Sequence, residues 1–385
     1  MVKFPCHIKT LPKASIATRQ IAMQTFPVSQ ATAHLEVPAV LDARGVLSAE
    51  CAGRARAMID EHGLVILTGL LSDDEAAAGL ALMQDTIADP GRARSAFASE
   101  TDNAYLRRDF CALPLTEPVM RFAATLAQRL EGVLGEYCGR SRPVLEIATF
   151  TSYIGSSHQY VHRDPAGVIS MFAAVEDVSP EQGGTVFVPG THQYGGSHNR
   201  HGGAAHGLME LLRIRSNARI MRHNLAKLRT MRRGGPAPLA PGELRDRVFS
   251  TQWDQHQPNL LRFILGKNAQ FSLRHVGPRT LWRLWRQGAA LDRLFTLVQT
   301  APRKGSVILY RSDLLHAGPD NCAGAPRRFF GMSIARDIIE RKYWHDGYSP
   351  HPDLQANPVS FGDLLAIPTL AGQTGADHRL SAIAG

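Results

Sequence analysis

The sequence predicts an α+β domain organised around a β-sandwich or barrel. Three observations carry the prediction. Helical patterns dominate the first 140 residues, strand-like runs take over from residue 144, and a long basic stretch splits those strands into two groups. "SAECAGRARAMIDEHG" (48–63) spaces its apolar residues as an amphipathic helix and stops on Gly63. The run "LVILTGLL" behind it reads as a buried strand. "LSDDEAAAGLALMQDTI" sets Ser72 and Glu75 in capping-box register and continues as a helix to about residue 88. Another helix is expected over 117–137, with Thr116 as N-cap and Pro118 in its first turn. Strands follow at 144–154, 167–177 and 184–190, then at 305–311 and 327–337 beyond the basic stretch.

The 385 residues read as one domain. Residues 1–45 form a tail or N-terminal arm, 46–140 a helical layer, 141–194 and 305–340 the β core, 195–304 a basic insertion, and 341–385 a C-terminal extension. An apolar content of 44% with 20% charged residues is ordinary for a globular protein. No apolar run approaches the 18 residues of a membrane span. Cys6, Cys51, Cys111, Cys138 and Cys322 are scattered without paired spacing, which argues for reduced thiols and a cytoplasmic setting. The first 35 residues lack Asp and Glu but hold Lys3, Lys9, Lys13 and Arg19; two prolines in "FPCHIKTLPKAS" favour a tail over a presequence helix.

The net charge of +9 is concentrated. Residues 195–304 carry 20 Lys and Arg against 5 Asp and Glu, and the remainder of the chain is net negative. A solvated insertion, a lid over an anionic substrate, and a dock for an acidic carrier protein are the readings this charge allows. No nucleic-acid recognition motif accompanies it.

The chemistry centres on "VHRDP" (161–165). On a strand, His162 and Asp164 share a face and Arg163 points the other way, which would supply two thirds of a metal site. The triplet alone is weak. With 16 His and 20 Asp in the chain, about 0.8 such triplets are expected by chance, and a second one exists at His351-Pro352-Asp353. That one sits in a Pro-rich stretch followed only by His378 and reads as loop decoration. The first has company: "EQGGTVFVPGTHQYGGSH" (181–198), then a strand leading to His316, then Arg327 eleven residues later. A His-x-carboxylate pair with a remote His after a later strand has the pattern of a two-His-one-carboxylate triad, with three coordination positions left for a bidentate 2-oxo acid and O2. A nearby arginine can hold the far carboxylate of that acid as a fork. His192 and His198 read as turn residues, and Tyr153 and Tyr310 as core or pocket residues.

At these residues the sequence resembles the phytanoyl-CoA dioxygenase family of Fe(II)/2-oxoglutarate-dependent oxygenases. The matching pieces are "HGLVILTGLLSDDE", "HQYVHRD", "GGTVFVPGTH" and "LLHAGPDNCAGAPRR", over roughly residues 50–195 and 305–340. The resemblance implies a double-stranded β-helix (jelly-roll, cupin-like) core. It also implies His162, Asp164 and His316 as iron ligands and Arg327 as the anchor for 2-oxoglutarate, with Gln159 and Thr185 as further cosubstrate contacts. Two departures stand out. Position 318, where many members place a hydroxyl for the cosubstrate, is glycine, and Arg328 beside Arg327 leaves the anchor ambiguous by one residue. The expected activity is hydroxylation of an aliphatic C–H of a small molecule, with release of succinate and CO2. The substrate could carry a carboxylate, a CoA thioester or a carrier. Desaturation or ring formation with the same cofactors, a silent binding protein on the same fold, and a cupin-like enzyme without a 2-oxo acid are the alternatives. The presence of Asp164 argues for an oxygenase, since related halogenases have a small residue there.

Overall fold

Alternation along the ten strands of the described residues divides their side chains between two environments. In a computed structural model the described residues are 26–89, 91–92, 107–164, 166–194, 204–235, 237–243, 278–336 and 351–370. The strands are β1 (Glu36–Pro38), β2 (Leu64–Thr68), β3 (Arg108–Ala112), β4 (Val144–Ser152), β5 (Val168–Ala174), β6 (Val186–Phe187), β7 (Val298–Gln299), β8 (Val307–Arg311), β9 (His316–Ala317) and β10 (Arg327–Ala335). Seven form a sheet in the order β1-β2-β8-β5-β10-β4-β3, and three form a smaller sheet, β7-β6-β9. The architecture is mixed α/β with one large sheet, consistent with a jelly-roll core.

Strand β10 shows the division. Phe330, Met332 and Ile334 join a core cluster with Ile147, Met171, Val307 and Leu309. The helices α1 (Ala49–His62), α2 (Asp73–Ala88) and α3 (Glu117–Arg129) pack their apolar faces into that same cluster. The alternate residues Arg327, Phe329 and Ser333 line a cavity on the other face. Burial of each large apolar side chain in the helix-facing layer contributes roughly 1.5–3 kcal/mol. Close approach of α2 and α3 needs Gly79, where a Cβ would lie 2.6 Å from Phe122; Phe122 in turn meets Phe330 edge to face at 4.6 Å.

The helix starts follow the sequence signals. Ser72 and Glu75 form the reciprocal capping box, and Gly63 ends α1 in the left-handed region at φ 84°. The expected helix over 117–137 is broken: α3 ends at Arg129, and a short α4 (Glu131–Leu134) follows after Leu130. Thr116 precedes α3 with extended geometry but makes no capping bond with its side chain. The strand expected over 184–190 shrinks to Val186–Phe187. Residues 26–45 are tied in, since Phe26 is buried and β1 pairs in parallel with β2.

Within the basic insertion, α5 (Ala204–Arg232) and α6 (Pro278–Leu294) pack on each other. Leu291, Phe295, Leu212 and Ile220 share one cluster with Val161 and Leu315. Two short helices, α7 (Pro352–Ala356) and α8 (Phe361–Ala366), close the described chain. His351 is the N-cap of α7, its Nδ1 accepting from the Asp353 and Leu354 amides and its Nε2 meeting the Leu113 carbonyl at 2.7 Å. The second His-x-Asp triplet is therefore a buried helix cap, where loop decoration was expected.

Gly331 sits at the cavity-facing centre of β10, and a Cβ there would lie 2.2 Å from the Phe150 ring. Gly331→Ala should cost about 1–3 kcal/mol of stability through overpacking, read as a lower midpoint in urea unfolding.

Candidate metal centre

His162 and His316 face each other across an isolated antiparallel bridge. Each amide donates to the other's carbonyl at 2.9 Å, so both imidazoles project from the same side. The alternation expected of a strand at 162–164 is thus achieved with a single rung, because β9 is only two residues long. Asp164 is anchored two residues on by its amide bond to the Ser312 carbonyl (3.0 Å). One ligand atom from each of His162, Asp164 and His316 falls within a mutual 4.8 Å. Asp164 Oδ2 lies 3.4 Å from His316 Nε2, and the two rings are 4.6 Å apart.

The tautomers suit a cation. His162 Nδ1 meets the Tyr160 carbonyl at 2.7 Å, and His316 Nδ1 meets the Leu314 carbonyl at 2.8 Å. A carbonyl only accepts, so each Nδ1 carries the proton and each Nε2 presents its lone pair toward the shared space. Burial alone would lower the His316 pKa, but the Asp164 carboxylate and the Leu314 carbonyl outweigh it and hold it above the ordinary value. The position that this carboxylate makes attractive to a proton is the position a metal ion would take. Two imidazoles and one carboxylate are a donor set that fits iron. Arg163 turns away, buried, and donates to the Thr191 carbonyl.

A cavity of about 190 Å³ opens beside this group, with Gln159, Thr185, Gly318 and Arg327 in its wall. The neighbouring arginines differ in placement: Arg328 pairs with Glu176 at 3.3 Å and does not line the cavity, whereas Arg327 is buried in its lining. Arg327 donates to the Gly183 carbonyl (2.6 Å), the Gly184 carbonyl and Ser152 Oγ (2.5 Å). Thr185 and Gln159 both line the cavity, yet Gln159 Oε1 already accepts from the Gly318 amide at 2.7 Å.

Arg108 went unnoticed in the sequence. It opens β3, is almost wholly buried, and lines the same cavity. Its Nη1 donates to Ser152 Oγ at 2.6 Å, so one hydroxyl is shared by two guanidinium groups. A Cβ at Gly318 would lie 2.5 Å from Arg108 Nη1 and 2.6 Å from Gln159 Oε1. The space that a side chain at 318 would need is occupied by Arg108. The one signal was that unexpected glycine. Burial lowers the Arg108 pKa to about 10 against the pull of Asp320, and burial followed by the charge of Arg108 lowers that of Arg327. Both Nε atoms are buried without a hydrogen-bond partner among the described residues. Two like charges around one hydroxyl, with donor capacity to spare, fit an anion.

His192 is buried outside the cavity, its Nε2 3.1 Å from the Asp60 carbonyl; His198 lies outside the described residues. Tyr310 lines the cavity and packs against the His316 ring at 5.3 Å. The described cysteines are all free thiols.

Residues 59–243 match the family model "Phytanoyl-CoA dioxygenase (PhyH)". That span includes His162 and Asp164 and stops short of His316 and Arg327. No curated protein matches the sequence. Among solved structures, similarity is found to the epimerase SnoN in complex with Fe3+, alpha ketoglutarate and nogalamycin RO. The identity is 15% and the TM-score 0.43, covering 75% of this chain and 84% of that one. The non-heme alpha ketoglutarate dependent carbocyclase SnoK from nogalamycin biosynthesis is similar at 16% identity and TM-score 0.41, over 81% and 92% of the two chains. HygX from Streptomyces hygroscopicus, with nickel, 2-oxoglutarate and hygromycin B bound, is similar at 14% and 0.40, over 77% and 96%.

The buried His158 near this site has its pKa lowered to about 4, by burial first, with Asp320 opposing, against 6.5 in the unfolded chain. Between those values the unfolded state binds more protons, so stability should fall as pH drops from 6.5 to 4, by on the order of 3 kcal/mol. Urea unfolding across that range should show the loss in the wild type and a flatter profile in His158→Gln. Over residues 59–243, just under half of its length, this chain is thus similar to the phytanoyl-CoA dioxygenase family.

Proposed function

We propose that the protein hydroxylates an aliphatic C–H of a small molecule, with His162, Asp164 and His316 as the iron ligands. The observation that carries this is the juxtaposition of two imidazole groups and a carboxylate with a cavity that ends in two buried guanidinium groups. Iron and 2-oxoglutarate, when bound, supply the oxidative decarboxylation to succinate and CO2 that drives C–H cleavage by O2. The two sheets are read as a double-stranded β-helix, with the helices of residues 49–134 as its outer layer.

The chain's own residues divide the remaining work. Arg327 and Arg108 receive the distal carboxylate of the 2-oxo acid, and Ser152 keeps the two cations in a fixed relation. Gln159 spans to the Gly318 amide and walls the cosubstrate end together with Thr185. On the substrate side, Phe150, Phe172 and Phe329 form an aromatic surface, with ring centroids 4.9 and 5.6 Å apart. Such a surface excludes water and favours an apolar reacting group. Beyond it, Glu146, Ser333, Ser170 and Tyr310 lie in register across four adjacent strands. An acidic handle on the substrate, such as a carboxylate or CoA phosphate, is poorly served next to Glu146. It would rest outside the cavity, on the basic insertion.

Anaerobic addition of Fe(II) and 2-oxoglutarate to the apoprotein should produce the visible charge-transfer band of a chelated 2-oxo acid. The band should weaken in Asp164→Ala and in Arg327→Leu, while succinate release in air tests turnover. A protein that binds iron but gives no band would refute the cosubstrate assignment. Arg108→Leu should weaken 2-oxoglutarate binding by about tenfold or more. Binding of a 2-oxo acid without a distal carboxylate should be unchanged, and equal losses for both acids would assign Arg108 a purely structural role.

A further inference from the structure

The edge of the segment that carries His162 is covered by side chains from the basic insertion. On one side, residues 156–162 pair with the chain around β9: the Gln159 amide donates to Gly318 and the His162 amide to His316. On the other side stands α5. Asn217 accepts from the Val161 amide at 2.7 Å and donates to the Val161 carbonyl at 3.0 Å. Asn224 accepts from the His158 amide at 3.1 Å and donates to the His158 carbonyl at 2.7 Å. Lys227 Nζ continues the series to the Ser156 carbonyl at 2.7 Å and to Asp320 at 3.3 Å. Both asparagines are fully buried.

The spacing is matched. Asparagines seven apart on a helix are separated by about 10.5 Å, and three extended residues span about 10 Å. Each carboxamide presents one donor and one acceptor, as a peptide group does. The two together reproduce two rungs of a ladder on backbone groups that would otherwise be buried without partners. Asparagine is a weak helix former, so its presence twice in a helix interior is explained by these bonds and not by helix stability. The opposite face of α5 carries exposed Arg219, Arg222 and Arg229, which accounts for the charge without involving it in this contact.

We infer that α5 is part of the metal centre: Asn217 and Asn224 are positioning residues that substitute for a neighbouring strand and hold His162 in place to ligate. The inference rests on the reading of His162 as a ligand, and it assigns the insertion a task that a solvated loop would not have.

The test uses Co(II) as the probe on the full-length apoprotein under anaerobic conditions. The variants are Asn217→Ala, Asn224→Ala, their combination, Asp164→Ala, and Arg222→Ala as a control on the exposed face. Affinity and the visible Co(II) spectrum are measured well below the melting temperature, with amide hydrogen exchange of His158 and Val161 alongside. Each asparagine variant is expected to lose about 10- to 100-fold in Co(II) affinity. It should also alter the spectrum and speed exchange at its own partner amide, with Arg222→Ala unchanged. Wild-type affinity and spectrum in both asparagine variants, with Asp164→Ala impaired, would overturn this inference and leave the metal site standing. Co(II) binding that survives Asp164→Ala undiminished would instead overturn the metal site, and this inference with it. If the double variant does not fold, Asn224→Asp keeps the acceptor for the His158 amide and replaces the donor with a carboxylate oxygen. Weaker Co(II) binding in that variant supports the inference, and unchanged binding overturns it.

Discussion

The reciprocal backbone bond between His162 and His316 is the constraint on which the centre of this protein depends. Two hydrogen bonds align a segment without regular structure and a strand of two residues. That alignment decides that both imidazoles look the same way. A slip of one residue on either side would turn a ring to the opposite face. The surroundings guard this register. β6 pairs with β9 from the small sheet, Tyr310 and Phe187 pack on the His316 ring, and the Leu314 and Tyr160 carbonyls hold the ring nitrogens.

Charge around the arginine end of the cavity is handled differently from charge on the surface. Asp320 is fully buried, and burial alone would raise its pKa. Lys227 at 3.3 Å and His223 at 2.9 Å reverse the sign and hold it well below the usual carboxylate range. The Phe26 amide and Cys322 thiol also donate to it. Asp320 is thereby hydrogen-bonded to Lys227 and His223, and its charge also supports the buried Arg108. Leaving any member of such a cluster unpaired would cost several kcal/mol.

How much of this was legible follows from the range of each interaction. The grouping of His162, Asp164 and His316 could be read because residue type, order and strand context all survive in one dimension. The caps at Ser72 and Gly63 were equally legible, since capping is decided within four residues. Arg108 was not, because in "YLRRDF" it looks like half of a surface pair. Its burial depends on β3 pairing with β4 and on a glycine 210 residues away. The polar face of α5 was hidden for a related reason. Its arginines dominate the composition of the insertion, while the two asparagines that matter resemble residues of a loop. The break at Leu130 and the shortening of β6 are adjustments of packing that periodicity does not register.

The two histidines that face each other are 154 residues apart in the chain, and the whole basic insertion lies between them. Closing a loop of that length carries an entropic cost that the assembled β core helps to offset. A ribosome that has released His162 and Asp164 has therefore made two members of the group but not the third. The grouping of all three side chains is complete only after β9 has been synthesised and docked.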